Sequence, residues 1–554
     1  MIGVVASPSD LSVVHEFFQL FKTPWELYRR DRQYDVLLCC GDMVYDPQAA
    51  KFVLLYSGHE LASDAAACIA IAGRHQKGTL SHDGTGFPIY GFSLTFEEET
   101  RKGQLRDEAS GNAASFSYQS QYGTVVRIGY DLFHEIRALL TVGQPVEYAG
   151  IPTLELHIAF LRDSITSLGV MLLEIPPVPD GYRFIVCLTH DVDHPSIRAH
   201  KCDHTALGFL YRALVGTARD FIKGSIPLRD AWTSWAAVLR LPLVYLGLAK
   251  DFWSDFAVRY RNLEKDLPST YFVIPFRDRP GRTPEGTAPA YRAAGYDADD
   301  VSGQIADVVS AGCEVGLHGI DAWTDNSSAC EELQEIRRVS GCDEIGVRMH
   351  WLYFDEHSPA ILERADAAYD STIGYRETVG YRAGTSQTYK PLQAERLLEL
   401  PLHVMDTALF YPAYLGLSSQ QATTVLRELT DQVESFGGCL TINWHDRSLA
   451  PERLWYACYA RLLEDLKARG AWFATVGQAV AWFRKRRSVV FEPDDPSQAL
   501  LANPARSADH DKTPGLCLRI HNETSHRGRS KLRGCVEAPL YVNAAADLAH
   551  ATGK

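Results

Sequence analysis

Short apolar runs that stop abruptly at polar residues recur through the middle of the chain. FIVCLTHDVDH (184–194), STYFVIPF (269–276), CEVGLHGID (313–321), IGVRMHW (345–351), LLELPLHVMD (397–406) and CLTINWHD (439–446) each read as a strand buried on both faces and ending in a polar tip. Helical apolar spacing fills the intervals. A further helix, ERLWYACYARLLEDLKARG (452–470), follows the last run and closes on a glycine stop. Strand, polar tip and helix in repetition predict an α/β fold built on a parallel sheet or barrel, with the chemistry at the C-terminal strand ends.

Two other zones flank this one. In residues 1–178, YDVLLCCGD (34–42) and KFVLLYSG (51–58) read as strands and LHIAFLRDSITSLGVMLLEI (156–175) as a helix, predicting an accessory α/β domain. PPVPDG (176–181) marks the boundary to a barrel domain over 179–487, whose final WFRKRR (482–487) reads as a solvated helix end. The alternating runs LCLRIHN (516–522) and CVEAPLYVN (535–543) predict a small β-rich appendage over 488–554. Segment 195–262 breaks the barrel rhythm and reads as a mostly helical insertion forming one wall of the site. Its most apolar stretch, Trp232 to Ala249, contains Arg240 and Pro242 and falls short of the about 20 apolar residues a spanning helix needs. It reads as a buried or partly buried helix pair, with a surface touching a membrane or a lipid-linked glycan as the lesser reading.

Composition narrows the class. A chain of 554 residues, 46% hydrophobic and 22% charged, is a multidomain globular protein. A net charge of −14 argues against a nucleic-acid partner, which needs a basic stripe. The 12 cysteines form no C-x-x-C pair, so zinc-ribbon and thioredoxin readings fail. The N-terminal stretch lacks a basic segment followed by an apolar one, and the cysteines are expected to be reduced, mostly buried and cytoplasmic.

The candidate chemistry sits at the strand tips. In THDVDH (189–194), Asp191 and Asp193 are spaced i, i+2 and share a side. Beside one metal, such a pair can divide labour between binding the ion and taking a proton from water. His318 ends the EVGL strand, and a neutral imidazole suits zinc, iron or cobalt. A third ligand is needed, and His350 in RMHW is the candidate, against simple packing beside Trp351. His445 in INWHD can donate a proton to a departing amine; Asp446 either orients it or caps the next helix. Arg382, in the glycine-flanked GYRAGT (380–385), and Arg348 compete to hold a catalytic carboxylate ionised and aligned. Trp232, Trp235, Trp253 and Tyr260 of the insertion either stack on sugar faces or pack in the core.

In order and spacing these pieces resemble the polysaccharide deacetylase family, the NodB-homology or carbohydrate esterase 4 group, over about 179–487. THDVD resembles its first motif, STYFVIP its second strand, EVGLHGIDAW (314–323) its second motif, VRMHW its arginine-bearing motif and LTINWHD its last. The resemblance implies a distorted parallel (β/α) barrel and a metal-dependent deacetylase, with zinc as the metal and an N-acetylated glycan or oligosaccharide as substrate. It makes Asp191 the general base, Asp193 and His318 metal ligands, and His445 the general acid. The family's second histidine, four residues after the first, is Ala322 here. Either His350 moves in, or metal binding is weak, or the chain is a degenerate, glycan-binding relative. HGIDAW, YRAGT and NWHDRSLAPER (443–453) are similar to a bacterial subgroup with an extra N-terminal domain. Another hydrolase of non-peptide C–N bonds is the alternative.

Overall fold

The structure is a computed structural model that describes residues 1–97, 104–201, 203–265, 267–491, 499–501, 513–522 and 535–540. The chain divides into two compact units: Met1–Gly181 with Ala383–Thr385 and the described residues from Ala481 on, and Tyr182–Arg382 with Ser386–Val480.

In the first unit, Trp25–Leu27, Ile2–Val5, Tyr34–Cys40, Ala50–Tyr56, Thr124–Ile128 and Ser115–Gln119 form one sheet in that order, parallel except for the last pair. A long antiparallel hairpin, Ile71–His82 and Thr85–Phe96, stands beside it in sequence. The stretch read as one helix over 156–175 splits. Helix Thr153–Thr166 is followed by strand Leu172–Glu174, which pairs with Leu516–His521. Leu516–His521 also pairs with Cys535–Leu540, so these C-terminal strands form a three-stranded sheet with Leu172–Glu174. The basic helix end is only partly solvated: Arg484 is exposed, but its neighbours turn inward. Arg486 is buried and donates to the carbonyls of Gln19, Leu20 and Ile175, and Arg487 pairs with Glu16.

The second unit holds the strand tips. Its strands are β1 (Ile185–Val192), β2 (Ser269–Val273), β3 (Glu314–Gly319), β4 (Val347–Met349), β5 (Val404–Met405), β6 (Cys439–Asn443) and β7 (Trp472–Phe473). They run parallel in the order β4-β3-β2-β1-β6-β5, with β7 also pairing β1. All eight residues of β1 are buried, as a central strand covered on both faces requires. Beyond β4 the ring continues only as isolated bridges, Val347 to Asp370 and Asp370 to Glu399, which makes it a distorted (β/α) barrel. The run read as a strand over 397–406 is therefore regular only at Val404–Met405.

The helices used below are α1 (His204–Tyr211), α2 (Thr217–Ile222), α3 (Leu228–Tyr245), α4 (Phe256–Glu264) and α5 (Asn326–Ser340). α1 to α4 make up the insertion after β1. The stretch Trp232 to Ala249 is partly buried, as one of the two readings had it, but it is not a helix pair. Most of it belongs to the single helix α3, whose outer apolar residues are exposed.

Candidate active site

Each site residue is delivered by a strand end. Asp191 lies on β1 and Asp193 one residue past it, so the two-residue period turns both carboxylates to one side. His318 and Arg348 are cross-strand partners on β3 and β4. His350 follows β4, and His445 follows β6 by two residues.

Three ligand-type atoms meet. His318 Nε2 lies 3.3 Å from Asp193 Oδ1, His350 Nδ1 lies 3.4 Å from the same oxygen, and the two nitrogens are 3.1 Å apart. Asp193 Oδ1 is buried and makes no well-formed hydrogen bond among the described residues. A buried carboxylate oxygen facing two imidazole nitrogens, with nothing to satisfy it, fits a cation. His318 Nδ1 is 2.9 Å from the Arg348 carbonyl, which can only accept, so Nδ1 carries a proton and Nε2 is the ring atom turned toward Asp193. Burial lowers His350 to about 4, so its ring is neutral near pH 7. Burial opposes the charge on Asp193, but the facing His318, His350 and His445 rings hold it well below the usual carboxylate range. One carboxylate and two imidazoles converging on one point are a ligand set that could hold a divalent metal ion. Ala322, in contrast, is buried in the apolar core. It is His350, from the neighbouring strand end, that faces His318.

Asp191 sits behind this trio and is 2% exposed. Its Oδ2 accepts from Asn443 Nδ2 at 2.7 Å and its Oδ1 from Arg348 Nη1 at 3.1 Å. Arg348 is fully buried, donates to Thr189 Oγ1 at 2.6 Å and to Ser371, and lies over the Phe272 ring. Arg382 does not share this role. Its guanidinium donates to the Gly374 carbonyl and lies over the Phe354 ring.

His445 Nε2 faces Asp193 Oδ2 at 3.7 Å, and its Nδ1 lies 2.6 Å from Asp406 Oδ1. Burial works against its charge, yet Asp406, with Asp193 and Asp191 beyond, raises it to about 10. The orienting carboxylate is thus Asp406. Asp446 instead accepts from the backbone N–H groups of His194 and Arg447, and no helix begins there. Sequence reading passed over Asp406 and Asn443. Both stand in strand-tip motifs, HVMD and INWHD, where a polar residue ending a buried strand is the available signal.

Of the flanking histidines, His194 lines the site and His190 points away. His190 Nδ1 bonds the Trp444 carbonyl, and its Nε2 bonds Glu264 at the end of α4. The site opens into a cavity of about 400 Å³, a volume that suits a small ligand or one sugar unit. Its aromatic wall comes from Trp351, Tyr291, Tyr411 and Tyr414. Trp351 and Leu352 both take left-handed backbone angles (φ 67° and 54°), a sharp turn that brings Trp351 to the cavity directly after His350. The insertion's aromatics do not line it. Trp253 and Tyr260 are core residues and Trp232 is 61% exposed. The insertion does reach the cavity through His204, the first residue of α1.

No protein-family model matches the chain, and no curated protein matches its sequence. Among solved structures it is similar to a Mycobacterium smegmatis protein assigned as a polysaccharide deacetylase, at 19% identity, covering 60% of this chain and 99% of that one, with a TM-score of 0.36. The carbohydrate deacetylase Agd3 aligns over 94% of this chain and 91% of its own at 8% identity and a TM-score of 0.34. Puue allantoinase aligns over 56% and 93% at 15% identity and a TM-score of 0.35. Scores at this level establish no function.

Proposed function

We propose that the chain is a metal-dependent hydrolase that removes an acetyl group from an amide nitrogen on an amino sugar. The observation that carries this reading is the meeting of Asp193, His318 and His350 around one unsatisfied carboxylate oxygen, flanked by Asp191 on one side and His445 on the other. Zinc is the proposed ion, held by Asp193 Oδ1, His318 Nε2 and His350 Nδ1. Such an ion supplies Lewis acidity toward an acyl oxygen and acidifies water.

The chain's own groups do the rest. Asp191, fixed by hydrogen bonds from Arg348 and Asn443, takes the proton from the attacking water. His445, protonated near neutrality, delivers a proton from Nε2 to the amine as the C–N bond breaks, while Asp406 fixes its Nδ1. The aromatic wall of Trp351, Tyr291 and Tyr411 offers ring faces to a pyranose. We place the protein in the cytoplasm, where free thiols persist: the ten cysteines from Cys39 to Cys517 whose side chains are described are free. The test is product analysis with zinc-loaded protein on N-acetylated oligosaccharides. Release of acetate supports the reading; release of ammonia from small amides instead assigns the site to another class of C–N hydrolase.

A further inference from the structure

Among the described residues, 12 of the 25 large apolar side chains that stand exposed lie between Leu207 and Leu248, within the insertion. They are ordered. On α3, Leu228, Trp232, Leu239, Leu243 and Leu246 fall on one stripe of a 3.6-residue helix, opposite the face that packs Ala237, Leu241 and Val244 into the insertion's own core. On α1, α2 and the wide π-turn joining them (Arg212–Gly216), Leu207, Tyr211, Leu214 and Ile222 form a second stripe. The stripes meet where Phe221 and Trp235 touch edge to face, with ring centroids 6.3 Å apart. The outer residues are well exposed, with Ile222 at 83% and Leu239 and Leu246 at 71%. A helix apolar on two opposite faces is normally covered on both.

Charge selects the cover. From His204 to Lys250 the cations are Arg212, Arg219, Lys223, Arg229, Arg240 and Lys250, against Asp220 and Asp230. That is +4 inside a chain of −14. Lys223, Arg229 and Arg240 make no ion pair among the described residues and flank the apolar stripes. A second copy of the chain seated by two-fold symmetry would set this basic rim against itself. An anionic bilayer would neutralise the rim and take up the stripes. No described helix is long and apolar enough to cross a membrane, so the element lies on the surface rather than spanning it.

We infer that the helical insertion is a docking surface for an anionic lipid bilayer, with the apolar stripes of α1–α3 entering the headgroup–acyl boundary and Lys223, Arg229 and Arg240 at the phosphate level. This holds whatever reaction the cavity performs.

The test is flotation of the full-length protein with phosphatidylcholine vesicles, alone or mixed with phosphatidylglycerol. The protein floats with the mixed vesicles, less as salt rises, and stays behind with phosphatidylcholine alone. Arg229→Glu/Arg240→Glu lowers binding at least about tenfold, since each basic residue near such a surface contributes roughly 1 kcal/mol, and Leu239→Asp/Leu243→Asp does the same by removing two apolar side chains from the inserted stripe. Both variants alter exposed positions, and unchanged thermal melting checks that they fold. A wild-type chain that floats with neither vesicle overturns the inference. So do variants that float like wild type, or a wild-type dimer that Leu239→Asp/Leu243→Asp dissociates without any vesicle binding.

Discussion

Asp406 holds His445 from two directions: its Oδ1 lies 2.6 Å from the ring Nδ1, and its Oδ2 accepts the His445 backbone N–H at 2.8 Å. The ring cannot turn without breaking the first contact, and the strand end cannot shift without breaking the second. Asp406→Asn keeps the shape and removes the charge. Turnover is expected to fall roughly 10²-fold or more, as for loss of a proton-transfer group, and the alkaline limb of the pH–rate profile moves to lower pH. Metal content stays at the wild-type level. A variant with reduced kcat and an unmoved profile would assign Asp406 a merely structural part.

Asp191→Asn is expected to lose about 10²–10⁴-fold in kcat while binding metal normally, because Asp191 stands behind the ligand trio rather than in it. Mass-spectrometric metal analysis beside an acetate assay checks this. Retained turnover removes Asp191 from the role of base.

The two candidate arginines separate cleanly. Arg348→Ala leaves the buried Asp191 carboxylate without its cation and Thr189 and Ser371 without their donor, so it is expected to destabilise the unit by about 3–5 kcal/mol. Arg382→Ala removes one bond to a carbonyl and a ring contact, with turnover within a few-fold of wild type. Denaturant unfolding and initial rates on both variants test the contrast.

In the first unit, His157 is fully buried, with Nδ1 bonded to Tyr130 and Nε2 without a hydrogen-bond partner among the described residues, and burial lowers it from 6.5 to about 3. A base with a depressed pKa binds its proton more readily in the unfolded chain. Its contribution to stability is therefore present above pH 6.5 and lost as pH falls toward 3. The limiting slope for one proton is about 1.4 kcal/mol per pH unit. His157→Gln is expected to flatten the acid side of the stability curve, measured by thermal unfolding between those values.

What could be read from the sequence follows from local physics. β1, β3, β4 and β6 are short buried runs that end sharply, and such runs announce both the strand and the side chains at its tip. Asp193, His318 and His350 were therefore visible as candidates. Asp406 was not singled out, because its value lies in facing His445, 39 residues away, and only the adjacency of β5 and β6 supplies that. Arg382 drew notice from its glycine-flanked loop, whereas what decides an arginine's role is which acceptors its guanidinium reaches. α3 misled for another reason. A helix apolar on two faces has the same pattern whether both are buried or one is open to solvent, so periodicity alone leaves the choice between buried and partly buried open, and it does not show that one helix rather than a pair spans the stretch.

The central claim is a metal held by Asp193, His318 and His350. Purified wild-type protein and His350→Ala are compared for bound zinc and for acetate released from an N-acetylated oligosaccharide panel. The account predicts about one zinc per wild-type chain and acetate release that chelation abolishes and zinc restores, with both lost in His350→Ala. Wild-type protein that binds no divalent metal and shows no metal-stimulated hydrolysis would contradict it.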